Sequence, residues 1–150
     1  MRRAIALSIE NVRAGRGGPF GAVIVRGGEI VAEGVNRVTS ANDPTAHAEI
    51  EAIRAACARL ATFDLAGCEI YTSCEPCPMC LGAIYWARLD RLWFANRRDD
   101  AAGAGFSDES LYREMALPVG ERAIPTAQLL ADEARAAMAE WLDKTDRIPY

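Results

Sequence analysis

Along this chain apolar residues recurring at helical intervals give way to short apolar runs, and each switch marks an element. Residues 2–14 read as a first helix with Ile5, Ile9 and Val12 on one side, ended by Gly15-Arg16-Gly17-Gly18-Pro19. Residues 21–26 and 29–35 read as two strands around Gly27-Gly28, a strong hairpin signal. Ile50, Ile53, Cys57 and Leu60 repeat at helical intervals, so the helix they define starts near His47. Residues 69–73 read as a strand. The helix after it opens at Cys77-Pro78, proline being favoured at the first helical position, and carries Met79, Leu81, Ile84, Tyr85 and Leu89. A strand at 91–95 follows, then an Ala/Gly-rich loop at 97–106 and a helix at 108–115. Residues 118–126 are irregular, and a last helix at 131–142 is expected to bury Ala134, Met138 and Trp141. Strand–helix–strand succession predicts parallel neighbours joined by right-handed crossovers. Such sheets place ligand-binding groups at the carboxyl ends of strands and the N-termini of the helices that follow. With no repeat, low-complexity tract or linker, the pattern predicts one α/β domain.

Composition narrows the classes. A chain of 150 residues at 51% hydrophobic content has enough core for one globular domain. No apolar run approaches the roughly 18 residues of a membrane span, and Met1-Arg2-Arg3-Ala4 does not open a full signal-peptide core. Five cysteines, an odd number without framework spacing, point to a reducing cytoplasm and to metal in preference to disulfides. Cys57 and Cys68 read as small buried apolar residues. The net charge of −4 does not suit a protein that grips phosphate backbones, and Asp99-Asp100 cancels the one basic pair, Arg97-Arg98.

Chemistry gathers at His47-Ala48-Glu49 and at Pro76-Cys77-Pro78-Met79-Cys80. One imidazole and two thiolates are the three side-chain ligands of a catalytic zinc site whose fourth position stays open for water. Both groups fall at helix N-termini, whose positive ends favour thiolate over thiol. Glu49 is not needed as a ligand and is placed to carry protons. His47 is the only histidine, so metal ligation by it removes Ser-His-Asp and Cys-His catalysis. A fourth ligand from Cys74 would close the site into a structural one. The open site is the favoured reading.

The runs 42–49 and 71–88 resemble the cytidine-deaminase-like superfamily, which bears an H-x-E…P-C-x-x-C signature. Within it the chain is most similar to the bacterial guanine deaminases. That finer likeness rests on Gly18-Pro19-Phe20-Gly21, on Asp100-Ala101-Ala102 with Ala104-Gly105-Phe106, and on Ile148-Pro149-Tyr150. It spans nearly the whole chain, with a first helix about one to two turns shorter than the family's.

The resemblance implies a three-layer α/β/α fold around a central mixed sheet. It implies hydrolysis of the 2-amino group of guanine to give xanthine and ammonia, with one zinc per subunit on His47, Cys77 and Cys80 and with Glu49 as proton shuttle. It further implies that Asn36, Asp108 and the Ala48 backbone N–H bond the purine base while Phe20, Trp86 and Tyr150 pack around it. A homodimer that exchanges C-terminal segments, so that Tyr150 caps the partner's pocket, is also implied. Read from the residues alone, Asn36 also suits a turn, Asp108 a helix start, and Phe20 and Trp86 an ordinary core. A deaminase of guanosine, ammeline, cytosine or tRNA adenosine is the near rival; a non-catalytic zinc-stabilised interaction module is the distant one.

Overall fold

The continuous apolar run of β1 (Gly21–Arg26) sends Ala22 and Ile24 to one face of the sheet and Val23 to the other, because successive strand side chains point to opposite sides. Each face acquires its own helical layer. The structure, a computed structural model, describes residues 1–149. It divides into two compact units, Met1–Asp108 and Glu109–Tyr150.

In the first unit β1 pairs with β2 (Glu29–Val35) as an antiparallel hairpin. Its turn residues, Gly27 and Gly28, have φ of +58° and +87°, the pair of positive values that a tight hairpin turn demands. On its other side β1 pairs antiparallel with β3 (Cys68–Cys74), which in turn pairs parallel with β4 (Arg91–Asn96). The sheet is mixed, in the order β2-β1-β3-β4. The expected parallel neighbours are found at β3 and β4. β2 and β3 run the same way but β1 lies between them, since a hairpin joins it to β2 and leaves its second edge to β3.

Helices α3 (Ala48–Leu60) and α4 (Pro78–Trp86) bring Ala52, Ala56 and Ile84 against Ala22, Ile24 and Ile70. Ile24 and Ile70 are fully buried, each worth about 1.5–3 kcal/mol by area. On the opposite face α1 (Arg2–Arg13) sets Ala4 and Leu7 against Val23. Here the sequence expectation needs correcting. The buried side of α1 is Ala4, Leu7, Ser8 and Asn11, whereas Ile5, Ile9 and Val12 are exposed. The reason is close approach. A Cβ on Gly21 would lie 2.4 Å from the Ala4 carbonyl oxygen and 2.8 Å from Leu7 Cβ, so the helix rests on bare strand backbone and turns its small residues inward. Two short helices complete the unit, α2 (Val38–Ala41) and α5 (Arg98–Gly103). The second lies where the sequence predicts loop; the Asp100 carboxylate accepts the Arg97 N–H at 2.8 Å and starts a turn that alanines continue.

The second unit holds α6 (Glu109–Ala116), a 3₁₀ turn at Val119–Glu121 and α7 (Ala131–Asp143). The Glu114 carboxylate accepts the Ala123 N–H at 2.8 Å and ties the irregular stretch to α6. The last helix has the expected span but not the expected burial: no residue of α7 is buried within this chain, with Met138 66% and Trp141 39% exposed. Some forty residues cannot enclose an amphipathic helix on their own.

Candidate active site

β2 and β3 run in the same direction, and the candidate residues follow their carboxyl ends. β3 finishes at Cys74, and Glu75-Pro76 leads to Cys77, an extended residue that caps α4 with Pro78 first in the helix. Cys80 is one turn further on, on the same side as Cys77. β2 finishes at Val35, and the chain returns through α2 to His47, the extended cap of α3. Each cap is the last residue before a helix turns its N–H groups and positive dipole end toward the same place.

His47 Nδ1 lies 3.6 Å from Cys77 Sγ and 3.5 Å from Cys80 Sγ, and the three ligand atoms are all within 4.8 Å of one another. A tetrahedral zinc with Zn–S near 2.3 Å and Zn–N of 2.0–2.1 Å separates nitrogen from sulfur by about 3.5–3.6 Å. The residues therefore fit the ion in both donor chemistry and spacing. Cys77 is pulled down to about 4, chiefly because it accepts a hydrogen bond from Cys80, with a further bond from His47. Cys80 is pushed up by the same bond and by burial, and His47 is raised by its bond to Cys77. The trio thus shares protons that a divalent cation replaces.

Glu49, in the first turn of α3, is buried. Burial raises its carboxyl above the ordinary range, opposed by hydrogen bonds from its own backbone N–H and from Cys80. A carboxyl so tuned, beside the metal ligands but outside their cluster, suits proton transfer. Cys74 is also outside the cluster. Its thiol donates to the Arg97 carbonyl at 3.6 Å, and burial pushes it up to about 11.

The candidate base-binding residues border this centre unevenly. Asn36 is buried just past β2; its N–H donates to the Phe20 carbonyl at 3.1 Å, and the next amide, of Arg37, donates to the Ala46 carbonyl at 2.8 Å. These two bonds link Asn36, Phe20 and the entry to His47. Ala48 is buried as first residue of α3, so its N–H is one that no helical carbonyl serves. Asp108 is half-buried; burial raises its carboxyl, and the Cys77 thiolate raises it further, which sets it within electrostatic reach of the cluster. Phe20 meets Phe106 edge to face, with ring centroids 5.0 Å apart at 86°. The sequence gives no local sign of this contact, since the two phenylalanines are 86 positions apart. Trp86 ends α4 and is 70% exposed. Tyr150 lies outside the described residues.

A mixed sheet with helices on both faces, and a His-Cys-Cys centre where two helices begin beside a buried glutamate, define a zinc-dependent hydrolase of amino groups. Residues 1–96 match the cytidine and deoxycytidylate deaminase zinc-binding region, and the chain belongs to that family. It is 51% identical to the guanine deaminase of Bacillus subtilis, over all of this chain and 96% of that protein. The X-ray structure of that enzyme superposes with a TM-score of 0.97 at 52% identity, covering 99% of this chain and 95% of that one. The guanine deaminase of Nitrosomonas europaea superposes with a TM-score of 0.69 at 35% identity, over 93% of this chain and 80% of that one. A tRNA-specific adenosine deaminase from Aquifex aeolicus is 48% identical, but over 51% of each chain.

Proposed function

We propose that this chain hydrolyses guanine to xanthine and ammonia. The observation that carries the reading is the full-length likeness to a guanine deaminase, which extends past residue 96, where the match to the wider family ends, and so spans the stretch that holds Asp108. A carboxylate accepts hydrogen bonds, and guanine presents a ring N1–H that adenine lacks. Asn36 and the Ala48 N–H would hold the same base, with Phe20 along one wall.

When bound by His47, Cys77 and Cys80, zinc supplies a Lewis acid that lowers the pKa of water to about 7. Glu49 takes a proton from the attacking water and passes it to a ring nitrogen, which makes the adjacent carbon electrophilic. The C2–O bond forms. A second proton leaves that oxygen and travels through Glu49 to the amino group, and the C2–N bond breaks to release ammonia. Burial of Glu49 keeps bulk water from competing for either proton.

A homodimer supports this chemistry. Tyr85, Trp86, Trp93 and Phe94 in the first unit, and Leu129, Leu130, Met138 and Leu142 in the second, are exposed within a single chain. A second copy would cover them, and exchanged C-terminal segments would bring Tyr150 to cap the partner's pocket. Five free cysteines fit a reducing cytoplasm, and among the described residues no helix is long and apolar enough to cross a membrane. Loss of guanine is then a step in purine breakdown. The test is ammonia release from guanine, guanosine, adenine, cytosine and ammeline, with a tRNA anticodon stem-loop as a further substrate. Guanine is expected to lead, and removal of the last few residues to narrow its advantage over guanosine; preference for a nucleoside or for the stem-loop would overturn the assignment.

A further inference from the structure

Asn36 owes its orientation to a side chain on the far side of the sheet. Its Oδ1 accepts two backbone N–H groups, those of Gly18 at 3.1 Å and Val38 at 3.3 Å. Only an oxygen can do that, so the amide is fixed one way round, and these bonds leave Nδ2 as the group it can offer. Asn11, fully buried on α1, closes the arrangement. Its Nδ2 donates to the Gly18 carbonyl at 2.9 Å and to the Asn36 carbonyl at 2.8 Å, while its Oδ1 accepts from Arg16 Nε at 3.3 Å. One amide therefore holds both the residue that anchors Asn36 Oδ1 and the backbone of Asn36 itself. Gly17 completes the cradle by being small: a Cβ there would lie 2.3 Å from the Asn36 carbonyl oxygen and 2.8 Å from Oδ1.

We propose that Asn11, with Gly17, is a positioning residue that locks Asn36 as a hydrogen-bond donor, so that position 36 reads an acceptor on the base. The division of labour follows: Asp108 accepts from the ring N–H edge, and Asn36 donates to a carbonyl or an unprotonated ring nitrogen. The inference rests on the assignment of Asn36 to the base under the proposed function.

The experiment measures kcat and KM for guanine in zinc-loaded protein carrying Asn11→Asp or Gly17→Ala, each alone and combined with Asn36→Ala. Asn11→Asp keeps the shape but turns an oxygen toward two carbonyls; Gly17→Ala removes no bond and displaces Asn36 by contact alone, so it serves if the first variant does not fold. Either is expected to raise KM about 5- to 30-fold, the effect of one weakened polar contact, with kcat and zinc content little changed. In the Asn36→Ala background both are expected to be silent. If Asn36→Ala raises KM but the two variants do not, or if their effects persist in full without Asn36, the positioning role is overturned and the proposed function stands. An ordinary KM in Asn36→Ala alone overturns the assignment of Asn36, and this inference with it.

Discussion

Gly34 offers the sharpest test of how the fold places its catalytic helix. It sits in β2 opposite Ala22, and a Cβ built on it would lie 2.1 Å from the Ala48 carbonyl oxygen and 2.4 Å from the Ala52 N. Those atoms are the two ends of a helical hydrogen bond in α3, so neither can rotate aside. An ordinary carbon–oxygen contact is about 3.3 Å, so Gly34→Ala must push the start of α3 from the sheet by about 1.2 Å. Overpacking of this kind costs about 1–3 kcal/mol. Because His47 caps α3 and Glu49 lies in its first turn, the same shift displaces a proposed ligand and the proposed proton carrier. A misplacement of about 1 Å at reacting groups lowers turnover about 10²-fold. Urea unfolding, zinc content and kcat for guanine, measured on one preparation, check all three consequences. Gly82→Ala is the matched control: it lies in α4 with nothing within 4 Å of its built Cβ, so alanine there should stabilise by about 0.5–1 kcal/mol. Unfolding and turnover for Gly34→Ala indistinguishable from the parent would refute the claim that this contact sets the helix.

Glu49→Gln is expected to keep one zinc while kcat drops at least about 10²–10⁴-fold; full turnover with zinc bound would remove Glu49 from the proton path. His47→Ala and Cys77→Ala should each lose metal and activity together, and elemental analysis finding a full complement of zinc in either would disprove the ligand set. Cys74→Ala should retain one zinc, because its thiol meets only the Arg97 carbonyl among the contacts described; loss of the ion would restore the four-ligand alternative. Asp64 sits below its ordinary value of 3.8 through the Ala66 N–H and then Arg88. Its contribution to stability is therefore complete above 3.8 and lost as pH falls through its lower folded value. Asp64→Asn should flatten the melting temperature across that acid range and leave its neutral-pH slope alone; an unchanged acid slope would contradict the assignment.

Most of the elements were legible because their signals are local. Gly27-Gly28 forces its hairpin, and proline after Cys77 starts its helix where the spacing says. The meeting of His47, Cys77 and Cys80 was legible for the same reason, since each stands at the edge of an element whose start could be read. What escaped was set by partners distant in sequence. Nothing near Ile5, Ile9 and Val12 tells that Gly21 will draw in the opposite side of α1. Nothing in β2 or β3 tells that β1 will come between them. Periodicity in α7 gives its apolar side but not what covers Met138 and Trp141. Asn11 reads as an ordinary polar residue in a helix until Gly18 and Asn36 are seen to converge on it.

The spacing of Gly34 and Asn36 has a consequence for how specificity can drift. Two residues of strand span about 6.6 Å, a length set by covalent geometry. One end of that rigid ruler touches α3 and the other bears the amide proposed to grasp the base. A lineage exploring larger or differently substituted heterocycles gains little by altering the Gly34 end of this wall, because a side chain there would also move the helix that His47 caps. Room for new substrates comes more readily from Phe106 and Asp108, which belong to a later stretch of chain outside β2.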